Sequence, residues 1–149
     1  MNKTAIELFA GVGGFRVGLN NVTGFDEETG RANENGPWKF VWANQWEPAE
    51  KAQSAYKCYA KRFGEEDATN IDISTVNKKE IPNHTLLTGG FPCQDYSVAH
   101  PKSNEKGIEG KKGVLWWQIN DILIAKKPKF VLLENVDRLL KAPSSQRGQ

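Results

Sequence analysis

Short apolar segments alternate with helical segments along the chain, and this alternation constrains the fold more than any other feature of the sequence. The segments with the length and side chains of strands lie at residues 4–9, 38–43, 84–88 and 129–133, with a short extended segment at 68–73. The segments with helical character lie at residues 15–22, 48–63 and 114–125. Strands separated by helices predict parallel strands joined by right-handed crossovers. We therefore expect an α/β fold with a mostly parallel sheet, helices on both faces and a buried last strand.

Composition and charge exclude several classes of protein. A chain of 149 residues can bury one core, and its 38% hydrophobic and 26% charged residues argue against disorder. No apolar run comes near the roughly 20 residues of a membrane helix, and the amino terminus does not resemble a secretory signal. The two cysteines, Cys58 and Cys93, cannot form a disulfide framework and fit a reducing cytoplasm. A net charge of +2 is low for a dedicated nucleic-acid module, and no Cys/His cluster predicts a metal site.

Polar and reactive residues follow the predicted strands where each strand ends. These residues lie at 10–14, 45–47, 89–94 and 134–135. In parallel sheets ligands bind outside the carboxyl ends of the strands. The four segments therefore predict one functional rim, while the polar segment 24–37 is expected to be a mobile surface loop.

A glycine-rich turn joins the first strand to the first helix. Without side chains at Gly11, Gly13 and Gly14, a ligand can approach the backbone closely, and N–H groups at the helix start can face a carboxylate or phosphate. The spacing is not the G-x-G-x-x-G of dinucleotide folds, which disfavours a nicotinamide enzyme. A tight turn without a ligand fits the glycines equally well.

Two further segments could serve a nucleotide-like ligand. After the second strand, Glu47 could accept hydrogen bonds from ribose hydroxyls, and Trp46 could lie against an adenine ring. A surface glutamate and a core tryptophan are the alternative. Asp72 and Ile73 could contact the adenine end, although Asp72 could equally cap the following turn.

Cys93 and Glu134 are the residues most suited to chemistry. Cys93 follows a strand, two glycines and a proline, where a sulfur can be presented to a substrate, whereas Cys58 lies within a helix and is predicted to pack. Glu134 ends an apolar strand, and an apolar setting would raise its pKa and let it carry a proton at neutral pH. An ion pair with Arg138 is the alternative.

These motifs resemble, in order and spacing, those of the DNA cytosine-5 methyltransferases. The resemblance rests on residues 7–15, on 90–94 with Ser97, on 134–136 and, more weakly, on 113–115, and it covers nearly the whole chain.

The resemblance implies a Rossmann-like S-adenosylmethionine-dependent methyltransferase fold, incomplete at its carboxyl end. It implies that the cofactor binds at the glycine turn. The cofactor-binding residues are then Phe9, Ala10, Gly11, Gly13, Gly14, Gln45, Trp46, Glu47, Asp72, Ile73, Gly90, Pro92 and Leu115. The family often has Glu at the position of Gln45, so either Gln45 or Glu47 binds the ribose.

The resemblance also implies a reaction. Cys93 would add to C6 of a cytosine flipped out of duplex DNA, Glu134 would hold or protonate N3, and Asn135 would position the loops. Residues 97–113 would close over the base. The expected setting is a restriction-modification system in the bacterial cytoplasm, at the nucleoid.

The family's target-recognition domain has no counterpart in these 149 residues. We therefore expect the chain alone to fold or nearly fold, to bind the cofactor weakly and to methylate little or nothing. Two alternatives stay open, a tRNA cytosine-5 methyltransferase and a non-catalytic cofactor-binding fragment that needs a second chain.

Overall fold

The computed structural model describes residues 1–91 and 114–135, which form a five-stranded sheet and three α-helices. The strands are β1 (Thr4–Leu8), β2 (Lys39–Asn44), β3 (Ala68–Thr69), β4 (Leu86–Gly90) and β5 (Phe130–Glu134). The α-helices are α1 (Gly14–Leu19), α2 (Ser54–Phe63) and α3 (Val114–Lys126), and short 3-10 helices span Ile73–Thr75 and Lys78–Glu80. None of the helices in these residues is long and apolar enough to cross a membrane.

The sheet has the strand order β3-β2-β1-β4-β5, and its four pairings are all parallel. The central strand β1 therefore has β2 on one side and β4 on the other. The predicted α/β class and parallel sheet are confirmed.

Both faces of the sheet carry helices, as predicted. On one face, Ile6 and Leu8 of β1 pack with Ile119 and Ile122 of α3 in one buried cluster. The opposite face carries Ala43 of β2 packed against α1 and α2. The alternation of side chains along each strand separates the two layers.

The prediction that the last strand is buried is wrong. β5 lies at the edge of the described sheet, and Phe130, Val131 and Leu132 are 52%, 44% and 44% exposed. Its apolar content resembles that of a central strand, but burial depends on the neighbouring element as well as on the strand.

Side-chain contacts connect the polar segment 24–37 to α1 and α2, whereas its composition predicted a mobile loop. Glu34 accepts two hydrogen bonds from the Arg16 guanidinium, at 2.6 and 3.0 Å, and a third from Asn20 at 3.0 Å. Phe25 lies under Arg62, whose guanidinium carbon is 4.6 Å from the ring centroid. Bidentate and cation–π contacts of this kind fix a loop without regular secondary structure.

Candidate cofactor and active site

The parallel register brings the predicted strand ends to one edge of the sheet. Leu8 of β1 pairs with Asn44 of β2 and with Gly89 of β4, and Gly90 pairs with Glu134 of β5. The strand after β1 in the sequence, β2, pairs on one side of β1, and the later strand β4 pairs on its other side, so the strand order reverses at β1. A crevice forms outside the carboxyl ends of strands at such a switch point.

The glycine turn after β1 has backbone angles that favour glycine. Phe9, Gly11 and Gly13 have φ of 51°, 55° and 92°. A Cβ on Gly13 would lie 2.4 Å from a ring carbon of Phe63, so close packing against α2 requires this glycine. A Cβ on Gly11 or Gly14 would meet nothing within 4 Å, so the turn leaves open space there for a ligand.

Several N–H groups of the turn are already hydrogen-bonded within the chain. The Gly11 N–H donates to Gln45 Oε1 at 2.8 Å, and the Gly13 N–H donates to the Ala10 carbonyl at 2.8 Å. The Phe15 N–H donates to Glu7 Oε2 at 3.1 Å. At the start of α1 the carboxylate that accepts this N–H belongs to the protein itself, whereas the sequence predicted a carboxylate or phosphate of a ligand.

Glu7 is a buried acid that the analysis of the sequence did not select. Its side chain is 1% exposed, and Oε1 has no hydrogen-bond partner among the described residues. Burial raises the pKa of Glu7 to about 7, although the N–H groups of Phe15 and Arg16 and the charge of Arg16 act in the opposite direction. A carboxylate inside an apolar strand was the signal that could have found it, since the same signal drew attention to Glu134.

The segment after β2 places a carboxylate and an aromatic ring at the rim. Trp46 is 37% exposed, so it is not the core tryptophan of the alternative interpretation. The Gln45 Nε2 donates to Glu47 Oε1 at 3.4 Å, while the Gln45 Oε1 accepts the Gly11 N–H. Gln45 therefore connects the glycine turn with Glu47.

The structure separates the predicted pair Asp72 and Ile73. Asp72 Oδ1 accepts hydrogen bonds from the backbone N–H and the hydroxyl of Ser74, at 2.9 and 2.8 Å, so it caps a 3-10 helix. The Ile73 side chain is 4% exposed and packs in the core, so the predicted apolar contact with a ligand does not come from it. The neighbouring Ile71 is 43% exposed, and its backbone is hydrogen-bonded to the Asn44 side chain.

On the other side of β1, Gly90 leaves room for Glu134. A Cβ on Gly90 would lie 3.1 Å from Glu134 Oε2 and 3.8 Å from a ring carbon of Phe15. The Glu134 side chain is exposed, so the predicted apolar setting is not present among the described residues. Asn135 is half-buried.

The other residues singled out from the sequence lie in α2, in α3 or outside the described residues. Leu115 is partly buried against the main core cluster. Pro92, Cys93 and Arg138 lie outside the described residues, as do 97–113. Cys58 lies in α2, half-buried and with a free thiol. Residues 1–91 and 114–135 contain no group of three side chains suited to a metal ion.

Comparison with known proteins agrees with the motifs. Residues 3–147 match the family described as C-5 cytosine-specific DNA methylase. Type II methyltransferase M.Sau3AI of Staphylococcus aureus is 53% identical over 152 residues, which cover all of this chain and 34% of that protein. Type II methyltransferase M.HhaI of Haemophilus parahaemolyticus is 38% identical over 131 residues, covering 88% of this chain and 33% of that protein.

A solved structure supports the fold. The Entamoeba histolytica methyltransferase EhMeth matches 95% of this chain and 40% of its own, with a TM-score of 0.67 and 21% identity. The chain spans about a third of the length of the curated relatives named above. Since the sequence match extends over almost all of its residues, the chain belongs to the C-5 cytosine-specific DNA methylase family.

Proposed function

We propose that this chain supplies the catalytic and cofactor-binding part of an enzyme that transfers a methyl group to C5 of cytosine in DNA. The observation that carries the proposal is the pairing of Gly90 with Glu134 at the carboxyl edge of the sheet. Cys93 follows Gly90 by three residues in the sequence. We propose that its thiol and the Glu134 carboxyl group serve a single substrate ring.

The reaction follows from the chemistry of the ring. C5 of cytosine is a poor nucleophile, and addition of the Cys93 thiolate to C6 forms an S–C6 bond and shifts an electron pair toward C5. Glu134 holds or protonates N3, which stabilises the charge that builds up in the ring. After C5 has gained its methyl group, loss of the C5 proton returns the electron pair, breaks the S–C6 bond and releases Cys93. Asn135, next to Glu134, positions the loops.

The residues at the rim fit S-adenosylmethionine. The open side of the turn at Gly11 and Gly14 gives the ligand backbone access, and the exposed Trp46 offers a ring for stacking an adenine. When bound, the cofactor supplies an electrophilic methyl group. Phe9, Ala10, Gly13, Gly90, Pro92 and Leu115 are proposed to complete this site, with Asp72 and the backbone of Ile73 at the adenine edge.

The proposed substrate is duplex DNA with the target cytosine flipped out, since the ring atoms cannot be reached within the stack. The relatives are named Type II methyltransferases, which supports a role in a restriction-modification system. We propose that the enzyme acts in the cytoplasm, at the nucleoid. We propose that most DNA contacts come from regions that these relatives have beyond the matched third.

Covalent trapping tests the proposal. A chimera in which this chain replaces the matching amino-terminal segment of M.Sau3AI is incubated with S-adenosylmethionine and a pool of duplexes carrying 5-fluorocytosine. Fluorine at C5 cannot leave as a proton, so the S–C6 bond persists and a denaturing gel reveals the adduct. The adduct is expected with the wild type and with Cys58→Ser, and it is expected to vanish with Cys93→Ser.

The control variant removes the free thiol of α2 and leaves the proposed nucleophile in place. An adduct that survives Cys93→Ser, or a wild-type chimera that forms none, would contradict the proposed role of Cys93. Adducts with 5-fluorocytosine tRNA and none with DNA would favour the RNA enzyme.

A further inference from the structure

We propose that Gln45 is a positioning residue that holds the glycine turn, and that Glu47 supplies the carboxylate for the ribose hydroxyls of the cofactor. This inference rests on the proposed function, because it concerns the same cofactor site. It resolves the choice between Gln45 and Glu47 that the sequence leaves open.

The hydrogen bonds of Gln45 fix which way its amide points. Its Oε1 accepts the Gly11 N–H at 2.8 Å, and its Nε2 donates to Glu47 Oε1 at 3.4 Å. The reversed amide would place an NH2 group against an N–H donor and an oxygen against a carboxylate, and both contacts would be repulsive. The side chain thus links the turn after β1 with the carboxylate after β2 in one arrangement.

The backbone around Glu47 is held independently of its side chain. The Gln53 amide accepts the Glu47 N–H at 3.0 Å and donates to the Glu47 carbonyl at 2.6 Å. The Asn70 Nδ2 donates to the Gln45 carbonyl at 2.6 Å and to Gln53 Oε1 at 2.8 Å. Gln53 adopts these contacts with φ of 47°, a conformation that costs free energy and persists only when the surroundings enforce it.

The chemistry of a ribose assigns the ligand role to Glu47. Two neighbouring hydroxyls donate hydrogen bonds, and a carboxylate can accept both. The Gln45 oxygen already accepts the Gly11 N–H, and its NH2 group can only donate. Glu47 is half-buried, and its second oxygen has no partner among the described residues.

A carboxylate at position 45 would disturb this arrangement. It would retain the hydrogen bond from Gly11 but would replace the donor that faces Glu47 with a second negative charge at the same short distance. Two carboxylates so close cannot both ionise freely, and the pKa of one rises. Family resemblance alone predicts the opposite, that Glu at position 45 improves ribose binding.

Calorimetric titration of the chimera with S-adenosylhomocysteine and with its 2′-deoxyribose analogue separates the two predictions. E47Q is expected to weaken binding of the ribose ligand about tenfold or more and to remove the preference for ribose over deoxyribose. Q45E is expected to weaken binding at neutral pH, with recovery as the pH is lowered, and Q45E/E47Q to bind better than Q45E. E50Q, at an exposed glutamate three residues further on, is the control and should change neither affinity.

The role of Gln45 in holding the turn has a readout that needs no ligand. In the free chain, Gln45→Leu is expected to accelerate hydrogen exchange of the Gly11 amide about tenfold or more, whereas Q45E keeps the acceptor and leaves it slow. The Gly13 amide, which donates to a backbone carbonyl of the same turn, is the internal control.

Three results would overturn the inference: tighter binding by Q45E, an unchanged ribose preference in E47Q, or an unchanged Gly11 exchange rate in Gln45→Leu. A wild-type chimera that binds neither ligand would instead contradict the proposed function.

Discussion

The ionisation of Glu7 should make the stability of the fold depend on pH in an unusual direction. Most acids in folded proteins have partners that favour the charged form, so stability falls in acid. Glu7 is 1% exposed on the central strand, and only one of its oxygens has a hydrogen-bond partner among the described residues. Burial therefore raises its pKa from 4.5 to about 7.

The size of the effect follows from this difference. The native carboxyl keeps its proton to higher pH than the unfolded one, so the native state binds more protons between the two values and stability falls as pH rises. One unit of pKa difference corresponds to about 1.4 kcal/mol, so full ionisation of Glu7 destabilises the fold by about 3 kcal/mol. About 2 to 3 kcal/mol of this loss should occur between roughly pH 5 and pH 8.

Urea unfolding of the wild type and Glu7→Gln, followed by tryptophan fluorescence across that pH range, measures the effect. Glutamine keeps the shape and the acceptor for Phe15 but cannot ionise. The unfolding free energy of the variant relative to the wild type should therefore rise by about 2 to 3 kcal/mol from the acidic to the alkaline end.

Glu34→Gln is the matched control. Against the effect of burial, hydrogen bonds from Arg16 and Asn20 lower the pKa of Glu34. Glu34 is thus ionised in both states over this range, and its variant should differ from the wild type by a constant amount. A constant difference for Glu7→Gln as well would refute the assignment of the pH dependence to Glu7.

Three further predictions concern stability. Gly13→Ala should lower the free energy of unfolding by about 2 to 4 kcal/mol, because the position has a positive φ and the new Cβ would lie 2.4 Å from a ring carbon. Gly11→Ala has open space around the Cβ and should lower it by about 1 to 2 kcal/mol. Equal losses in urea unfolding would contradict the packing argument. Arg16→Lys should cost about 1 to 2 kcal/mol, because lysine cannot make the bidentate contact with Glu34 or cover the same rings, and an unchanged urea midpoint would disprove this. Burial lowers the pKa of His84, so its contribution to stability should fall as pH drops below about 6.5, opposite to the contribution of Glu7. His84→Gln should therefore gain stability relative to the wild type over this range, and a constant difference would count against it.

The alternation of strands and helices was predictable because it depends on local side-chain periodicity. The exposure of β5 was not predictable, since the apolar content of a strand does not state which elements lie beside it. The predicted helix from Pro48 begins instead at Ser54. The Gln53 side chain accepts the N–H of Glu47 and donates to its carbonyl. Such hydrogen bonds between side chain and backbone compete with helix formation.

The site was predictable only in part. The strand ends could be placed on one rim because parallel strands share a direction, and the register agrees. The capping role of Asp72 was one of the two predicted alternatives, because a cap depends on local sequence. The burial of Ile73 and the hydrogen bond between Gln45 and Gly11 depend on contacts distant in the sequence, which no pattern along the chain reports.

The acids near the carboxyl ends of the strands differ in what their oxygens contact, and this difference supports the ligand-binding roles proposed for Glu47 and Glu134. Glu7 accepts a hydrogen bond from the start of α1 and is buried in the core, so it acts on the fold. Asp72 accepts two hydrogen bonds from Ser74 through Oδ1, so it caps a 3-10 helix beside the proposed adenine edge. The carboxylate oxygens of Glu47 and Glu134 accept no hydrogen bond from a helix start or a cap among the described residues. The two acids lie at the ends of strands on opposite sides of β1. A ligand that spans the crevice can reach one carboxylate on each side. In the proposed function, the cofactor lies at the β2 side and the substrate ring at the β5 side, and the methyl group passes between them across the end of the central strand.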